Sequence, residues 1–269
     1  MNNDAFREKY GPWAVVAGAS EGLGAAFAEE CARRGLKVVL AARSRDKLAS
    51  VQTSLSEKYK TECRVLALDL SEPDAAASLD RQTALLDTGL FIYNAALSLL
   101  GPYFIFPEDQ HRATMATNCA TPALCAYRFG KRLRERGKGG IVLMSSMAGF
   151  QGGPFLAHYA ATKAYCTVLA EGLSRECAAD NVDVLACCAG AVATPGYLRA
   201  NGGKTSFMVM KPAAVARKAL DNIHRRGVYI PGIFNKCGAF VLQKLLPRSL
   251  AVSVMEHSVR GMVKTPGRL

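Results

Sequence analysis

The sequence is poor in histidine, with four residues in a chain of 269, and it has a single tryptophan. His111, His158, His224 and His257 have no zinc-ligand spacing, and the nine cysteines form no Cys-x-x-Cys pair. No resident metal is expected. Cys187 and Cys188 are adjacent, which suits neither an ordinary disulfide nor a metal cage. No apolar run reaches the roughly 18 residues of a spanning helix, so none is expected. Met1 to Tyr10 is polar and has no signal-peptide core. Reduced thiols in a cytoplasm are the expectation. Internal repeats, low-complexity tracts and linkers are also missing, which points to one domain spanning residues 1–269.

Acidic residues are scarce too: 22 Asp and Glu stand against 34 Lys and Arg, a net charge of +12. A nucleic-acid partner is not expected, because there is no binding motif and no basic run interleaved with aromatics. Three readings of the charge remain open: an anionic substrate or cofactor drawn in by the field, a membrane surface, or plain solubilisation.

What is present is apolar and regularly punctuated. Half of the residues are hydrophobic and 21% are charged, as in ordinary globular proteins. Apolar runs at Trp13–Ala19, Lys37–Ala42, Cys63–Leu68, Leu90–Asn94, Ile141–Ser145 and Val182–Cys188 read as strands, with Val228–Ile230 as a short last one. Helical composition follows at Gly22–Gly35, Pro73–Leu86, Glu108–Glu135, Tyr159–Ala179 and Pro212–Arg225. This alternation predicts an α/β fold, a doubly wound parallel sheet of about seven strands flanked by helices. Residues 190–211 have little periodicity and are expected to form a lid over the carboxyl edge of the sheet.

Tyr159-Ala160-Ala161-Thr162-Lys163 is the stretch with the clearest chemistry. A tyrosine and a lysine four residues apart on a helix project from one face. The ammonium favours the phenolate electrostatically, which makes the phenol a usable proton donor and acceptor. Ser146 closes the strand before this helix, so serine, tyrosine and lysine can converge on one carbonyl oxygen. His158 lies about 100° round the helix from Tyr159 and is expected to face elsewhere.

Ala17-Gly18-Ala19-Ser20-Glu21-Gly22-Leu23-Gly24 sits where the first strand hands over to the first helix. Glycines there let the backbone approach a diphosphate, whose charge the helix N-terminus favours. The second strand ends Leu40-Ala41-Ala42-Arg43-Ser44-Arg45, with no acid before Asp46 to hold a ribose 2′-hydroxyl. Arg43 offers a planar fork to a 2′-phosphate, and Arg45 and Ser20 can share it. NADP(H) is favoured over NAD(H).

Taken together, the glycine turn, Ser146, Tyr159 and Lys163 resemble the short-chain dehydrogenase/reductase family of the classical type, over about Trp13 to Ile230. The resemblance implies that Tyr159 is the acid/base, that Ser146 stabilises the substrate oxygen, and that Lys163 assists the tyrosine and binds the nicotinamide ribose. It also implies that Asn118, in Thr117-Asn118-Cys119-Ala120, supports a proton-relay water. On the cofactor side it assigns Gly18, Ser20, Glu21, Gly22, Leu23 and Gly24 to the diphosphate turn. Asp69 and Leu70 are assigned beside the adenine, Asn94 and Ala95 follow the fourth strand, and Val192 and Thr194 meet the nicotinamide. Three departures stand out: Ala17 replaces the usual threonine, Tyr93-Asn94-Ala95-Ala96 replaces Asn-Asn-Ala-Gly, and Ala189-Gly190 replaces Pro-Gly. None removes a proton-transfer group. The opening Arg7-Glu8-Lys9-Tyr10-Gly11-Pro12-Trp13 is similar to a branch that includes bacterial 7β-hydroxysteroid dehydrogenases.

The resulting expectation is an NADP(H)-dependent oxidoreductase that interconverts a carbonyl and a secondary alcohol on a small hydrophobic substrate, steroid or alicyclic. Leu97, Leu99, Leu100, Phe155, Leu156, Phe207, Met208, Val209 and Met210 are candidates for its pocket. The alternatives are a 3-ketoacyl thioester reductase and, in another class, a non-catalytic NADP-binding regulator. A homodimer or homotetramer is implied. Residues 234–269 form a basic C-terminal extension, with Lys236, Lys244, Arg248, Arg260, Lys264 and Arg268 against Glu256 alone. Its apolar stripes either pack on the domain or a symmetry mate, or make weak contact with a membrane surface.

Overall fold

The apolar runs become one parallel sheet of seven strands. The computed structural model of the protein describes residues 1–206, 208–225 and 227–263. Phe207 of the expected pocket, and Lys264 and Arg268 of the basic extension, lie outside the described residues. The strands are β1 (Trp13–Ala17), β2 (Lys37–Ala42), β3 (Cys63–Ala67), β4 (Thr88–Tyr93), β5 (Gly139–Ser146), β6 (Val182–Ala189) and β7 (Gly227–Tyr229). Their order is β3-β2-β1-β4-β5-β6-β7. Every residue of β1, β4 and β6 is buried, which explains runs of Val, Leu and Ile without polar alternation.

Helices cover both faces, and each face has its own core. On one, α1 (Asn3–Tyr10), α2 (Gly22–Arg33), α3 (Arg45–Tyr59) and α9 (Pro212–Asp221) enclose Phe27, Leu40, Val215 and Leu220. On the other, α4 (Ala75–Thr83), α6 (Thr121–Arg136) and α7 (Ala157–Glu176) enclose Phe91, Phe129, Leu133 and Val184. Phe91 and Phe129 stack with centroids 4.2 Å apart. α5 (Glu108–Met115) leads into α6 through a π turn at Ala116–Ala120, so the single helix expected over Glu108–Glu135 contains a wide turn. α8 (Pro195–Ala200), α10 (Ile233–Phe240), a second π turn (Val241–Leu245) and α11 (Arg248–Arg260) complete the chain.

Three helices are not apparent from periodicity. α1 buries only Phe6 and Tyr10, and α3 only Leu48 and Leu55, so their apolar stripes are too sparse to stand out. α8 has no buried residue; it rests on Pro195 and on Thr194, whose hydroxyl caps the Tyr197 amide. The helix expected over Pro212–Arg225 ends at Asp221, and Ile223–Arg225 forms a separate 3₁₀ turn.

From β1 the chain winds outward through β2 and β3, then returns to β4 on the other side of β1. This reversal leaves a crevice beyond the carboxyl ends of β1 and β4, the usual ligand position in such sheets.

Candidate active site

The crevice is built first from backbone. Asn94 and Ala95 at the end of β4 both donate their amides to the Ala17 carbonyl at the end of β1. The Asn94 side chain donates to the Gly18 carbonyl at 3.0 Å. Gly18 has φ +84°, and a Cβ there would stand 2.5 Å from the Ala95 nitrogen. Gly24, on the first turn of α2, runs closer still: its Cβ would lie 1.8 Å from the Gly18 carbonyl oxygen. The turn therefore brings the start of α2, with its unpaired amides, up against the strand ends.

Beside this turn, β5 and α7 are laced together at two points. Ser145 Oγ donates to the Lys163 carbonyl at 2.7 Å, and Lys163 Nζ donates to the Met144 carbonyl at 2.8 Å. The next residue, Ser146, closes the β5–β6 ladder opposite Ala189 and stays half-buried at the crevice. Its Oγ accepts from the Ala148 amide at 3.2 Å. Tyr159 stands one turn before Lys163 on α7, and the lysine Nζ is 5.5 Å from its ring centroid. Lys163 is 3% exposed, and no carboxylate pairs with it among the described residues. A buried ammonium of this kind directs its charge towards whatever oxygen enters the crevice.

The outcome is one cleft of about 560 Å³ in which Ser146, Tyr159 and Lys163 share a wall with Gly18, Ser20, Gly22, Arg43, Asp69, Asn94 and Thr194. Glu21, Leu23, Leu70, Ala95 and Val192 line it as well. At the end of β2 the cleft is cationic. Arg43 is exposed and makes no hydrogen bond or ion pair among the described residues, with Ser44 and Lys47 beside it. Lys47 is held 2.6 Å from Glu21, which Arg199 of α8 approaches at 3.5 Å from the far side. The Lys47 hydrogen bond outweighs burial and keeps the Glu21 carboxyl below its ordinary range. For Asp69, burial pushes the pKa up, but hydrogen bonds from the Ser71 amide and hydroxyl, with the nearby Arg43 charge, bring it below the ordinary value.

Two expected site residues do not line the cleft. Gly24 lies under the turn, where it is needed for packing. Asn118 is 1% exposed, and its amide bonds both backbone groups of Leu97 and the Thr162 hydroxyl. It braces the loop after β4 against α7. Arg45 is also absent from the wall, and Lys47, in the first turn of α3, stands there instead. His158 turns away from the cleft as expected. Its Nδ1 meets His111 Nδ1 at 2.8 Å, and burial together with the His111 charge lowers its pKa.

Of the residues expected around a substrate, Leu97 lines the cleft. Leu99, Leu100, Phe155 and Leu156 are half-buried on two loops joined by the Gly101 amide and the Phe155 carbonyl at 2.8 Å. Met210 instead packs against the core and is bridged to Val192, while Met208 is exposed. Tyr103, Phe104 and Ile105 are exposed apolar residues on the loop after β4, which neither strand nor helix periodicity marks.

Residues 12–201 match the family model described as short chain dehydrogenase. The chain belongs to the short-chain dehydrogenase family. Membership makes it an oxidoreductase acting on CH–OH groups. This short-chain dehydrogenase is 35% identical over 233 residues to a 7beta-hydroxysteroid dehydrogenase of Clostridium sardiniense, covering 86% of this chain and 89% of that relative. Among solved structures it is similar to one from a study of 7beta-hydroxysteroid dehydrogenase stereoselectivity, with a TM-score of 0.87, 29% identity and coverage of 95% and 99% of the two chains. A short-chain dehydrogenase from Sphingobium yanoikuyae in complex with NADPH gives a TM-score of 0.77, 26% identity and coverage of 96% and 98%.

Proposed function

We propose that the protein is an NADP(H)-dependent oxidoreductase that interconverts a ketone and a secondary alcohol on a hydrophobic, steroid-like or alicyclic substrate. The observation that carries this reading is the single cleft joining Ser146, Tyr159 and Lys163 to the cationic end of β2. The residues fit a phosphorylated dinucleotide. The turn brings the N-terminus of α2 to the cleft, which suits a diphosphate, and the unpaired Arg43 with Ser44 suits a 2′-phosphate where no strand-end acid would repel it. Val192, Thr194, Asp69 and Leu70 all line this cleft, which supports assigning the first two to the nicotinamide and the last two to the adenine. When bound, a reduced nicotinamide supplies the hydride, and its oxidised form accepts one in the reverse direction.

The chain's own groups handle the proton. Tyr159 Oη gives its proton to the carbonyl oxygen as that oxygen gains charge, and Ser146 Oγ donates a hydrogen bond to the same oxygen. The Lys163 ammonium stabilises the phenolate left behind. In oxidation the phenolate takes the proton back. Asn118 acts at one remove, by holding the Leu97 backbone at the edge of the cleft. The half-buried leucines and Phe155 supply the apolar contact for a ring system, and the similarity to the 7beta-hydroxysteroid dehydrogenase of Clostridium sardiniense favours a steroid.

The remaining features support a coherent setting. Residues 190–211 serve as a lid pinned at Val192 and Met210, within one domain spanning the chain. Exposed Leu124, Tyr127, Tyr165 and Val168 on neighbouring α6 and α7 support a homodimer or homotetramer. All nine cysteines are free, which suits a reducing cytoplasm.

The test is turnover of Tyr159→Phe and wild type on steroids, cyclic ketones and 3-ketoacyl thioesters, with NADPH and with NADH. Acid catalysis typically contributes about 10²–10⁴-fold. The variant should therefore lose at least a hundredfold in rate while binding NADPH normally. Retention of a tenth of the rate, or turnover confined to thioesters, would sink the proposal.

A further inference from the structure

We propose that α10, the π turn after it and the start of α11 form a docking surface for an anionic lipid bilayer. Three observations carry this. First, the segment is one-sided. Ala239, Ala251 and Val259 are buried against the protein, and α10 packs beside the active-site loops, where a Cβ on Gly238 would stand 3.9 Å from Met147 Cε. Ile233 and Phe240, seven residues apart on α10, are 67% and 58% exposed, Leu245 is 63% exposed, and Val241, Leu250 and Val254 are exposed further along the segment. Apolar side chains gathered on one face differ from the scattered singles of an ordinary surface.

Second, the sequence from Asn222 to Met255 contains no Asp or Glu. Lys236, Lys244 and Arg248 are exposed in the same segment, none of them makes an ion pair among the described residues, and the Lys236 ammonium lies over the Tyr229 ring at 5.2 Å. Apolar side chains that insert at headgroup depth, bordered by basic side chains that meet anionic headgroups, form the usual interfacial arrangement. Third, the charge argues against a second copy of the chain on this face. In a two-fold interface each patch meets itself. The basic side chains Lys236, Lys244 and Arg248 would then be brought together with those of the second copy, with no carboxylate in this stretch to offset them, in a chain already at +12. An anionic bilayer instead offers the opposite charge.

No helix among the described residues is long and apolar enough to cross a membrane, so the contact is peripheral. Because α10 borders Met147, next to Ser146, the bilayer would lie close to the active-site loops. On the apolar-substrate reading above, the bilayer is where such a substrate accumulates.

The experiment is flotation of the full chain with phosphatidylcholine vesicles, with and without phosphatidylglycerol, at low and raised salt. Wild type should float with the anionic vesicles only, and salt should weaken the binding. Lys236→Gln and Lys244→Gln should each reduce partitioning about fivefold. Phe240→Ser with Leu245→Ser should reduce it about tenfold or more. Reduction of a water-soluble ketone by these variants should stay unchanged, which separates this inference from the proposed activity. Absence of flotation, equal binding to neutral vesicles, or indifference to the Phe240 and Leu245 changes overturns the proposal. So does a shift in oligomeric state in that double variant without vesicle binding, which would assign the face to a second copy. Cys237 is the single exposed cysteine and lies on α10, so a polarity-sensitive thiol dye there tests the wild-type protein directly. A blue shift with anionic vesicles supports insertion, and an unchanged spectrum refutes it.

Discussion

Arg43→Ala isolates the feature that separates NADPH from NADH. Arg43 stands at the carboxyl end of β2 on the wall of the cleft, exposed and without an ion pair among the described residues. Its guanidinium is free to meet a 2′-phosphate with two parallel hydrogen bonds. Hydrogen bonds to charged groups contribute roughly 1.5–3 kcal/mol net, or about ten- to a hundredfold in affinity. Lys47 is a weak substitute, because Glu21 already holds its ammonium at 2.6 Å. The variant should therefore bind NADPH about ten- to a hundredfold less tightly and leave NADH nearly unchanged. Adding Ala42→Asp places a carboxylate at the strand end, repels the phosphate and offers the ribose 2′-hydroxyl an acceptor. The double variant should prefer NADH. Titration of nicotinamide fluorescence with both cofactors measures each constant. Equal losses for NADPH and NADH would show that Arg43 serves a part common to both. A double variant that still prefers NADPH would mean that the phosphate is recognised elsewhere.

Gly24→Ala puts a Cβ 1.8 Å from the Gly18 carbonyl and 2.7 Å from Asn94 Nδ2, so the turn must shift. Overpacking of this kind costs about 1–3 kcal/mol; calorimetry should show Tm lowered by several degrees, and an unchanged Tm would contradict the packing role. Glu30 is 7% exposed; burial pushes its carboxyl up, but hydrogen bonds from Arg33 and Arg34 bring it below the ordinary range. Its stabilisation is therefore complete above the unfolded carboxylate's range and is lost as pH falls through the lowered folded value, so urea midpoints of wild type and Glu30→Gln should differ near neutrality and converge in acid.

The strands were legible because a parallel sheet covered on both faces needs continuous apolar runs, and Val182–Cys188 or Ile141–Ser145 have no other economical explanation. Tyr159 and Lys163 were legible for a similar reason: helix geometry converts a spacing of four into a shared face. The helices α1 and α3 were not, since each is held by two buried side chains on a polar surface. Their stability comes from the core they meet.

Sequence alone determined the succession of the seven strands, the parallel sheet and the residue types at the turn, the strand end and the helix face. Local rules act over a few residues, and these features are local. Only the tertiary structure decided what meets across long separations. The Lys163 ammonium on the Met144 carbonyl, Asn118 on Leu97 and Lys47 against Glu21 depend on how α3, α6 and α7 dock on the sheet. The His111–His158 contact spans 47 residues and joins two helices with no common sequence signal. Whether Gly24 lines a cleft or fills a gap was likewise settled by a backbone approach of 1.8 Å that no spacing of glycines encodes. Docking is governed by the summed burial of two apolar cores, and that sum is a property of the whole chain.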